Sequence, residues 1–464
     1  MKNNTRVVAL LLTCLMTVSL FAACGSEPPT PSAASSGEAA VSATETPAES
    51  SAAAASSEAT PETVYEPVTL TFLIDNQAIL DGIEAVAAEA EKRFNISLET
   101  ELRPGGAEGD NVVKTRLATG DMADICAYNS GSLFQALNPE QNFIDLTDEP
   151  FMANVIDSFK VTVSANNRVY GIPSGATMGG GWFYNKKVYE ELGLTVPRSW
   201  TELLANCEAV KAAGKVPVLG SYKDSWTAQL IVLADNYNVM AELPAFADDY
   251  TANKAKIATT PAALKSFQKL QEVFDRGYMN EDLVSTTYDA ALKMLAEGTG
   301  AHYPMLTFAI PNIAANFPEL INDIGFFAQP GNDAADNGLT IWLPGGFYGN
   351  RNSEHVDAIL TFFSLYASVE GMDIYMSAQK PDGPLPIIGS TLPDDVFPAV
   401  KDMLPYFQAD KTAPALEFLS PIKGPNLPQF CVEVGAGLKP AETAAAEYDK
   451  DVEKQAKQLG LEGW

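Results

Sequence analysis

The stretch that decides the fold is VTLTFLI (residues 68–74), ILDGIEAVAAEAEKRF (79–94) and ISLETEL (96–102). The first segment alternates and is β-branched, the second has apolar residues at helical spacing, and the third is again typical of a strand. The pattern predicts a β-α-β unit of an open α/β sheet. Ligands of such sheets collect at the carboxyl ends of the strands, where Asp75 and Asn76 follow the first strand. We therefore predict Asp75 and Asn76 as ligand-binding residues.

The chain then continues the alternation of helix and strand. Residues 112–119 predict a further helix that ends at Gly120, and residues 123–128 predict a short buried strand that leads into Asn129. The loop at Asn129 faces the same edge of the predicted sheet, so Asn129 joins the candidate ligand-binding residues. Short polar residues after strands are also common helix caps and turn formers, and this alternative stays open.

Two blocks of sequence carry a resemblance to a known family. KTRLATGDMADI (residues 114–125) resembles the "LasGdxPDiv" stretch of the bacterial extracellular solute-binding proteins, the sugar-binding family 1, with an alanine in place of the usual proline. VYGIP (169–173), WFYNKK (182–187) and LGLTVPRSWTEL (192–203) resemble the family's "YGiP … YNK … G … P.tWdEl" run. The resemblance extends from about residue 67 to the C-terminus.

The resemblance implies an α/β fold of the two-lobed, periplasmic-binding-protein-like (Venus flytrap) class, with hinge crossings between the lobes. Later segments agree with it, because residues 298–304 resemble the family's "GkaAM…G.w" element and residues 355–366 have the apolar spacing of an amphipathic helix. The implied domains are a first lobe of residues 67–178 and 346–380 and a second lobe of residues 179–345 and 381–464.

The second block also has a local physical account. Ser199 and Glu202 have the spacing of a capping box, which makes Trp200 a packing anchor. The glycine run at residues 179–181 suits a backbone that bends between lobes. A phosphate-binding loop is excluded there because no Gly-Lys-Ser/Thr follows the glycines.

The beginning of the chain has the pattern of a secretory signal. Lys2 and Arg6 precede an apolar run at residues 7–23, which is short for a membrane span of about 20 residues. LFAACG (residues 20–25) resembles a bacterial lipobox, although the family pattern prefers an aliphatic residue where this chain has phenylalanine. We predict a signal peptide at residues 1–23 and lipid on Cys24, which would hold the protein at the outer face of the cell membrane. The alternative is an ordinary cleaved signal with an unrelated cysteine.

The segment between the signal and the predicted lobes differs in composition from the rest of the chain. Residues 24–66 consist mainly of Ser, Ala, Thr, Pro and Glu, contain no basic residue, and have a single aromatic residue, Tyr65. Such a composition buries too little apolar surface to offset the entropy of ordering the chain. We predict a disordered linker that tethers the lobes to the lipid anchor.

Composition excludes several classes of function. Removal of residues 1–23 takes away two of the 30 basic residues and none of the 59 acidic ones, so the formal charge changes from −29 to −31. Nucleic acid is therefore a poor partner. The three cysteines that remain beside Cys24 are widely spaced and odd in number, so they form no disulfide framework. With two histidines and no Cys-x-x-Cys, we predict neither a metal site nor a cofactor.

A sugar needs aromatic faces for its C–H patches and planar polar groups for its hydroxyls. Trp226 is the strongest aromatic candidate, since it lies in a polar loop where the family often places a stacking tryptophan. The predicted ligand-binding residues are Trp226, Tyr303, Trp342, Asp75, Asn76, Asn129, Asp224 and Trp182. For the aromatic candidates near the hinge the alternative is interior packing, and for Trp182 a buried strand position is an equal alternative. His302 is interpreted as a structural histidine.

The resemblance implies the binding lipoprotein of an ABC importer, which captures a mono- or oligosaccharide by hinge closure and performs no chemistry. Its partners would be the carbohydrate, the permease subunits and, through lipid, the membrane, and we predict a monomer. The candidate loops contain no arginine, which favours a neutral ligand. Two alternatives stay open: the binding subunit of a sensor or chemoreceptor, and an anchored glycoside hydrolase that uses two carboxylates.

Overall fold

The structure of the protein is a computed structural model that describes residues 65–464. These residues form a mixed α/β fold with one five-stranded sheet, one six-stranded sheet and a two-stranded ribbon. The strands are β1 Val68–Asp75, β2 Ile96–Arg103, β3 Ile125–Tyr128, β4 Ser164–Ala165, β5 Arg168–Val169, β6 Gly171–Pro173, β7 Met178–Asn185, β8 Val216–Val218, β9 Gly300–Leu306, β10 Ile324–Ala328, β11 Leu339–Trp342, β12 Gly346–Gly349 and β13 Thr412–Pro414.

Helices cover both sheets. The α-helices are α1 Asp81–Phe94, α2 Gly106–Thr119, α3 Ser132–Gln135, α4 Pro139–Asn142, α5 Asp157–Thr162, α6 Lys186–Leu192, α7 Trp200–Ala212, α8 Leu230–Ala234, α9 Asn236–Glu242, α10 Phe246–Thr251, α11 Pro261–Asp275, α12 Tyr288–Ala296, α13 Ala309–Asn316, α14 Val356–Tyr366, α15 Val369–Ala378, α16 Pro398–Gln408, α17 Leu416–Leu419, α18 Leu427–Gly435 and α19 Ala441–Gln458. Short 3-10 helices occur at Pro150–Asn154, Ser225–Gln229, Ile321–Asp323 and Ala334–Asp336. No helix within residues 65–464 is long and apolar enough to span a bilayer.

The first sheet has the strand order β2-β1-β3-β12-β6. Strand β1 pairs in parallel with β2 and β3, and β12 pairs antiparallel with β3 and β6. The predicted β-α-β unit is confirmed within a residue or two at each boundary. The predicted helix before Gly120 is longer than expected, because α2 begins at Gly106, and it ends as predicted with Gly120 in the left-handed region (φ 74°).

The second sheet has the strand order β13-β11-β7-β9-β8, and β10 also pairs with β7. Its central strand, β7, contains the glycine run of residues 179–181, and lack of space explains the two glycines at the end of that run. A Cβ atom on Gly180 would lie 2.0 Å from the ring of Trp342, and one on Gly181 would lie 2.3 Å from the carbonyl oxygen of Phe327. The predicted capping box of Ser199 and Glu202 is confirmed at the start of α7.

Each sheet has its own apolar core. Side chains of β1, β3, β12, α1 and α14 form one cluster, and the second sheet and its helices form the others. Within residues 65–464 the chain crosses between the two sheets three times. The first crossing is residues 174–177, the second is residues 343–345, and the third lies between α15 and α16. In this third passage Ile387 still packs in the first core, whereas Val396 packs in a core of the second sheet. Burial of each large apolar side chain contributes roughly 1.5–3 kcal/mol.

Candidate functional site

A cavity of about 290 Å³ opens at the carboxyl edge of the first sheet, where the crossings meet. Its lining comes from the ends of β1, β2 and β3, from all three crossings, from α15, and from the start of α13 on the side of the second sheet. The polar and aromatic lining residues are Asp75, Gln77, Arg103, Tyr128, Asn129, Ser174, Phe308, Asn312, Phe347, Tyr375, Gln379 and Asp382. The position agrees with the prediction that ligands collect at this edge.

An ion pair between Asp75 and Arg103 lies in the wall of the cavity. The two residues are direct partners at the ends of β1 and β2, and Arg103 Nη1 lies 3.4 Å from Asp75 Oδ2. The guanidinium, which is buried, also donates to the carbonyl oxygens of Pro104 (3.1 Å) and Ala127 (3.3 Å). Arg103 is the only basic residue among the described residues that line the cavity, and Asp75 compensates its charge. Its Nε is buried without a hydrogen-bond partner among the described residues.

Backbone geometry holds this pair in place. The Asp75 Oδ1 atom accepts a 2.8 Å hydrogen bond from the backbone N–H of Gln77, which fixes the carboxylate at the turn after β1. Gly105 lies against the side chains of Gln77 and Asp75, because a Cβ atom there would be 3.0 Å from Gln77 Oε1 and 3.2 Å from Asp75 Oδ2. The wall is therefore preorganised before any ligand enters.

Tyr128 forms the next part of the wall. Its hydroxyl donates a 2.9 Å hydrogen bond to Asp110 Oδ1, and its ring lies 5.7 Å from the Arg103 guanidinium carbon. Burial, together with the Asp110 carboxylate, raises the pKa of Tyr128 far above its ordinary value. The phenol therefore stays protonated and Asp110 stays occupied as its acceptor.

Asp382 contributes a second carboxyl group to the cavity. The residue is half-buried in the third crossing, and desolvation raises the pKa of Asp382 to about 7. Tyr375 and Gln379, which also line the cavity, lie on α15 or directly after it. This acid group therefore changes its charge near neutral pH.

Aromatic residues form the wall on the side of the second sheet. Trp226 is half-buried and packs with its ring centroid 5.4 Å from that of Tyr288 and 5.7 Å from that of Phe308. Phe308 lines the cavity, and Trp226 approaches the first-sheet side, since a Cβ atom on Gly106 would lie 3.5 Å from Trp226 Cδ1. Trp226 thus lies where the first-sheet side and the second-sheet side of the cavity meet, and we call the space between these two sides the cleft.

The two sides also meet at helix α17. Gly131 has φ 69°, and a Cβ atom there would lie 2.6 Å from the carbonyl oxygen of Glu417 and 3.0 Å from Phe418 Cδ1. The Phe418 side chain packs both against the core of the first sheet and against the cluster that contains Trp342. Helix α17 therefore bridges the two sides of the cleft in this structure.

The structure brings Asp75 and Asn129 together in the cavity and places Trp226 at its border. The other predicted residues lie outside the cavity lining. Asn76 is exposed, and Asp224 Oδ2 accepts a 2.7 Å hydrogen bond from the backbone N–H of Tyr288 at the start of α12.

The three remaining aromatic candidates are buried. The Tyr303 hydroxyl shares a 2.6 Å hydrogen bond with Ser221 Oγ, and the Trp182 indole donates to Gln329 Oε1. The Trp342 indole donates a 2.7 Å hydrogen bond to Glu417 Oε1. Their rings fill the interior, so in this structure they present little surface to a ligand.

His302 is also buried and satisfied. Its Nε2 lies 2.7 Å from the Tyr189 hydroxyl and its Nδ1 lies 2.7 Å from the carbonyl oxygen of Pro217. Burial lowers the pKa of His302 to about 4, so the ring is neutral. These contacts agree with its interpretation as a structural histidine.

The sequence interpretation missed several residues of the cavity. Arg103 stands at the end of β2, and the rule that selected Asp75 at the end of β1 would also have selected it. Asp382, Gln379 and Asn312 lie in segments whose sequence carries no such signal. The candidate loops contain no arginine, but Arg103 at the end of β2 lines the cavity and corrects this expectation for the cavity as a whole.

Metal ligands and reactive thiols are scarce in the described part of the chain. No group of three or more His, Cys, Asp or Glu side chains within residues 65–464 has the geometry of a metal site. Cys126, Cys207 and Cys431 are free and buried, and desolvation raises the pKa of the Cys126 thiol to about 12. These thiols are therefore poor nucleophiles near neutral pH.

Comparison with known proteins gives a family and a fold. The model of the family described as "Bacterial extracellular solute-binding protein" matches residues 76–373, which is more than half of the chain. The "Multiple sugar-binding protein" of Streptococcus mutans serotype c is 26% identical over 243 residues. That match includes 50% of this chain and 56% of the relative, so the chain spans about half the length of the curated relative that it matches.

Solved structures of sugar-binding proteins share the fold. A chitin oligosaccharide binding protein superposes with a TM-score of 0.73 at 20% identity, over 84% of this chain and 99% of that chain. The binding protein RafE in complex with raffinose gives 0.69 at 19% identity, over 84% and 99%. A Bacillus licheniformis sugar transporter protein in complex with stachyose gives 0.68 at 14% identity, over 84% and 100%. The predicted periplasmic-binding-protein-like fold class is confirmed.

Proposed function

The chain belongs to the bacterial extracellular solute-binding protein family, and from that premise we propose that it is the binding protein of an ABC importer. It would capture a mono- or oligosaccharide in the cleft between the two sheets and close on it by hinge bending. The family and the relatives described above are binding proteins and not enzymes. Ligand binding would then stabilise the closed form as a population shift, without chemistry on the ligand.

The observation that carries this proposal is the composition of the cavity at the crossings. Asp75 and Arg103 present planar polar groups held by their ion pair and by the backbone N–H of Gln77, and Gln77 adds a side-chain amide. Tyr375 and Phe308 present aromatic surface from opposite sides. Planar groups that accept or donate in pairs suit vicinal hydroxyls, and aromatic faces suit the C–H patches of a pyranose ring. A cavity with both features fits a carbohydrate better than a wholly apolar ligand.

The charges of the cavity favour a neutral ligand. The positive charge of Arg103 is compensated by Asp75, and Asp382 adds a further acid group. A carboxylate or phosphate ligand would therefore find no uncompensated cation among the described residues of the lining. The names of the relatives agree with this choice, since they mention raffinose, stachyose and chitin oligosaccharide.

We propose direct ligand contacts for Asp75, Asn129 and Arg103, and a stacking or border contact for Trp226. Asp75 and Asn129 line the cavity, and Trp226 adjoins Phe308 at its edge. Contacts from the other predicted residues would require a different conformation of the cleft. Roles for Asn76, Asp224, Tyr303, Trp342 and Trp182 in binding stay predictions.

We further propose the two lobes as units that move relative to each other. The first would comprise residues 67–178 and 346–380 and the second residues 179–345 and 381–464, as predicted from the sequence. For the third boundary, the packing of Ile387 in the first core and of Val396 in a second-sheet core supports a later position than residue 380, at a hinge through residues 388–395. A monomer that contacts the permease subunits with both lobes would couple closure to transport.

The family places the protein outside the cytoplasm. We propose that it is held at the outer face of the cell membrane by lipid on Cys24, after removal of residues 1–23. These predictions lie outside the described residues and rest on the sequence alone. Replacement Cys24→Ser is expected to release the protein from the membrane fraction without a change in ligand affinity. Retention of the variant in the membrane would contradict the anchor.

A thermal-shift screen tests the proposed function directly. A ligand that binds only the native state raises the apparent stability by RT ln(1 + [L]/Kd). We expect stabilisation by at least one sugar from a panel of galactose, raffinose, stachyose, xylo-oligosaccharides and chitin oligosaccharides. Stabilisation should be lost in the Asp75→Ala variant and kept in the Asp333→Ala variant, whose residue lies in an exposed loop and bonds only locally. If peptides or polyamines stabilise the protein and sugars do not, the proposed ligand class is wrong.

A further inference from the structure

Asp382 occupies a fixed position where two of the crossings touch. The backbone N–H of Thr177, in the first crossing, donates a 2.7 Å hydrogen bond to the carbonyl oxygen of Pro384 in the third. Gly383 leaves no room between them, because a Cβ atom there would lie 1.9 Å from the carbonyl oxygen of Thr177. The close contact on one side of Asp382 therefore holds its carboxyl group at the wall of the cavity.

The carboxyl group of Asp382 differs from the neighbouring carboxyl groups in having no partner from another residue. Asp75 is paired with Arg103, Asp110 accepts from Tyr128, and Asp224 accepts from the backbone at Tyr288. Within residues 65–464 the carboxyl group of Asp382 makes a hydrogen bond only with its own backbone amide. A half-buried acid that lines a cavity without a partner is costly unless something else satisfies it.

The charged and titratable groups around Asp382 leave it free for a ligand. The Tyr375 phenol of α15 and the Tyr288 phenol of α12 interact electrostatically with Asp382, and burial raises the pKa of both phenols far above the ordinary value. In the same segment Lys380 pairs with Asp395 at 2.6 Å. At the ends of β1 and β2, Asp75 and Arg103 are paired with each other.

We propose that Asp382 is a ligand-binding residue whose ionised carboxylate accepts hydrogen bonds from two hydroxyl groups of the bound sugar, so that binding releases a proton. This inference rests on the proposed function, because it requires a ligand that donates through hydroxyl groups. On binding, the proton of the Asp382 carboxyl group is transferred to the buffer, and two O–H···O⁻ hydrogen bonds from the sugar form in its place. Such charge-assisted bonds are about twice as strong as neutral ones.

The proton linkage gives quantitative expectations. Because desolvation raises the pKa of Asp382 to about 7, about half of the free protein carries the proton at pH 7. Binding at pH 7 should therefore release about 0.5 proton per sugar, and the affinity should be about tenfold weaker at pH 6 than at pH 8. The two tyrosines of the cavity lining, Tyr128 and Tyr375, have pKa values raised far above this range.

Calorimetric titration of the purified full chain tests the inference. The probe is whichever sugar of the panel above stabilises the protein most, and the titration is done at pH 7 in phosphate and in Tris, whose ionisation enthalpies differ. The wild type should show proton release, Asp382→Asn should lose it together with the dependence of affinity on pH, and Asp382→Glu should keep it. Asp333→Asn serves as the control and should behave as the wild type, because Asp333 is an exposed acid that bonds only locally and does not line the cavity.

The outcomes separate this inference from the proposed function. If a sugar binds without proton exchange and Asp382→Asn binds as tightly as the wild type at pH 6 and pH 8, the role of Asp382 is wrong while the sugar-binding function stands. Proton uptake, or preferential binding of an amine-bearing ligand, would also overturn it. If no sugar binds at all, the proposed function fails and the inference fails with it.

Discussion

The indole nitrogen of Trp342 donates a 2.7 Å hydrogen bond to the Glu417 carboxylate. The bond joins the end of β11, where the second crossing begins, to helix α17. The same carboxylate pairs with Lys423 at 2.6 Å, and both charged side chains are largely buried. Helix α17 also contacts Gly131 on the first-sheet side. The Trp342–Glu417 hydrogen bond therefore connects β11, the strand before the second crossing, to a contact between the two sides of the cleft. It also explains why Trp342, a predicted ligand contact, is held in the interior.

We expect that Gly131→Ala weakens ligand binding by favouring an open cleft. The added Cβ atom would lie 2.6 Å from the Glu417 carbonyl oxygen, so α17 could not keep its present position. Gly120→Ala is the matched control, because Gly120 also has positive φ but a Cβ atom there meets nothing within 4 Å. Both variants should lose about 1 kcal/mol of stability from backbone strain. Only Gly131→Ala should lose affinity, by about tenfold in calorimetric titration, and equal affinities for the two variants would contradict the bridging role of α17.

We expect that Trp226→Ala reduces sugar affinity by about 10- to 100-fold, because aromatic stacking and border packing would both be lost. Trp226→Phe should keep part of the affinity, since a ring still covers Phe308 and Tyr288. Trp464→Ala is a suitable control, because Trp464 is also half-buried but donates to the carbonyl oxygen of Thr251, and neither residue lines the cavity. Fluorescence or calorimetric titration measures the effect. Wild-type affinity in Trp226→Ala would show that Trp226 does not contact the ligand.

The elements of the first sheet were predicted well because each of them follows from a pattern within a short segment of sequence. The alternation of 68–74 and the helical spacing of 79–94 each determine one element, and the end of a strand marks an edge of the sheet. The same logic placed Asp75 and Asn129 in the cavity. The same logic applies to Arg103 at the end of β2, which the sequence interpretation did not select.

The rest of the site depends on contacts that local patterns do not encode. Trp182 and Trp342 stand in strands, and alternation alone cannot show which face of a strand is covered by another helix. Asp382 lies in a segment rich in proline and glycine, without periodicity, and reaches the cavity only because the first and third crossings touch. Long-range packing of this kind becomes visible only in the folded chain.

We expect that Asp382→Asn stabilises the ligand-free protein at high pH. The folded state raises the pKa of Asp382 to about 7, above its value of about 4 in an unfolded chain, so the folded state binds the proton more tightly. The free energy of unfolding therefore falls as pH rises from about 4 to 7, and Asn removes this loss. Because the group is partly exposed, the gain at pH 8 should be about 1–2 kcal/mol, with little change at pH 4. Thermal melts at both pH values measure it, and a variant less stable than the wild type at pH 8 would contradict the desolvated carboxylate.

For a buried ion pair on the second-sheet side we expect the opposite result, a loss of stability when the carboxylate is removed, because here the charge is compensated. Lys269 Nζ lies 2.5 Å from Asp235 Oδ1, both residues are almost fully buried, and Lys269 also donates to the carbonyl oxygen of Pro330. Removing one member of such a pair leaves an uncompensated charge in the interior, which costs about 3–5 kcal/mol. Asp235→Asn should therefore lower the midpoint of denaturant unfolding strongly.

The double variant Asp235→Asn with Lys269→Met distinguishes charge compensation from packing. It removes both charges while keeping similar volumes, so it should recover much of the stability that Asp235→Asn loses. Glu453→Gln provides the surface comparison, because Glu453 pairs with Lys457 on the solvent-exposed face of helix α19 and its loss should produce no measurable change. If the double variant is as unstable as Asp235→Asn alone, the loss comes from the hydrogen bonds that Asp235 makes and not from the stranded Lys269 charge.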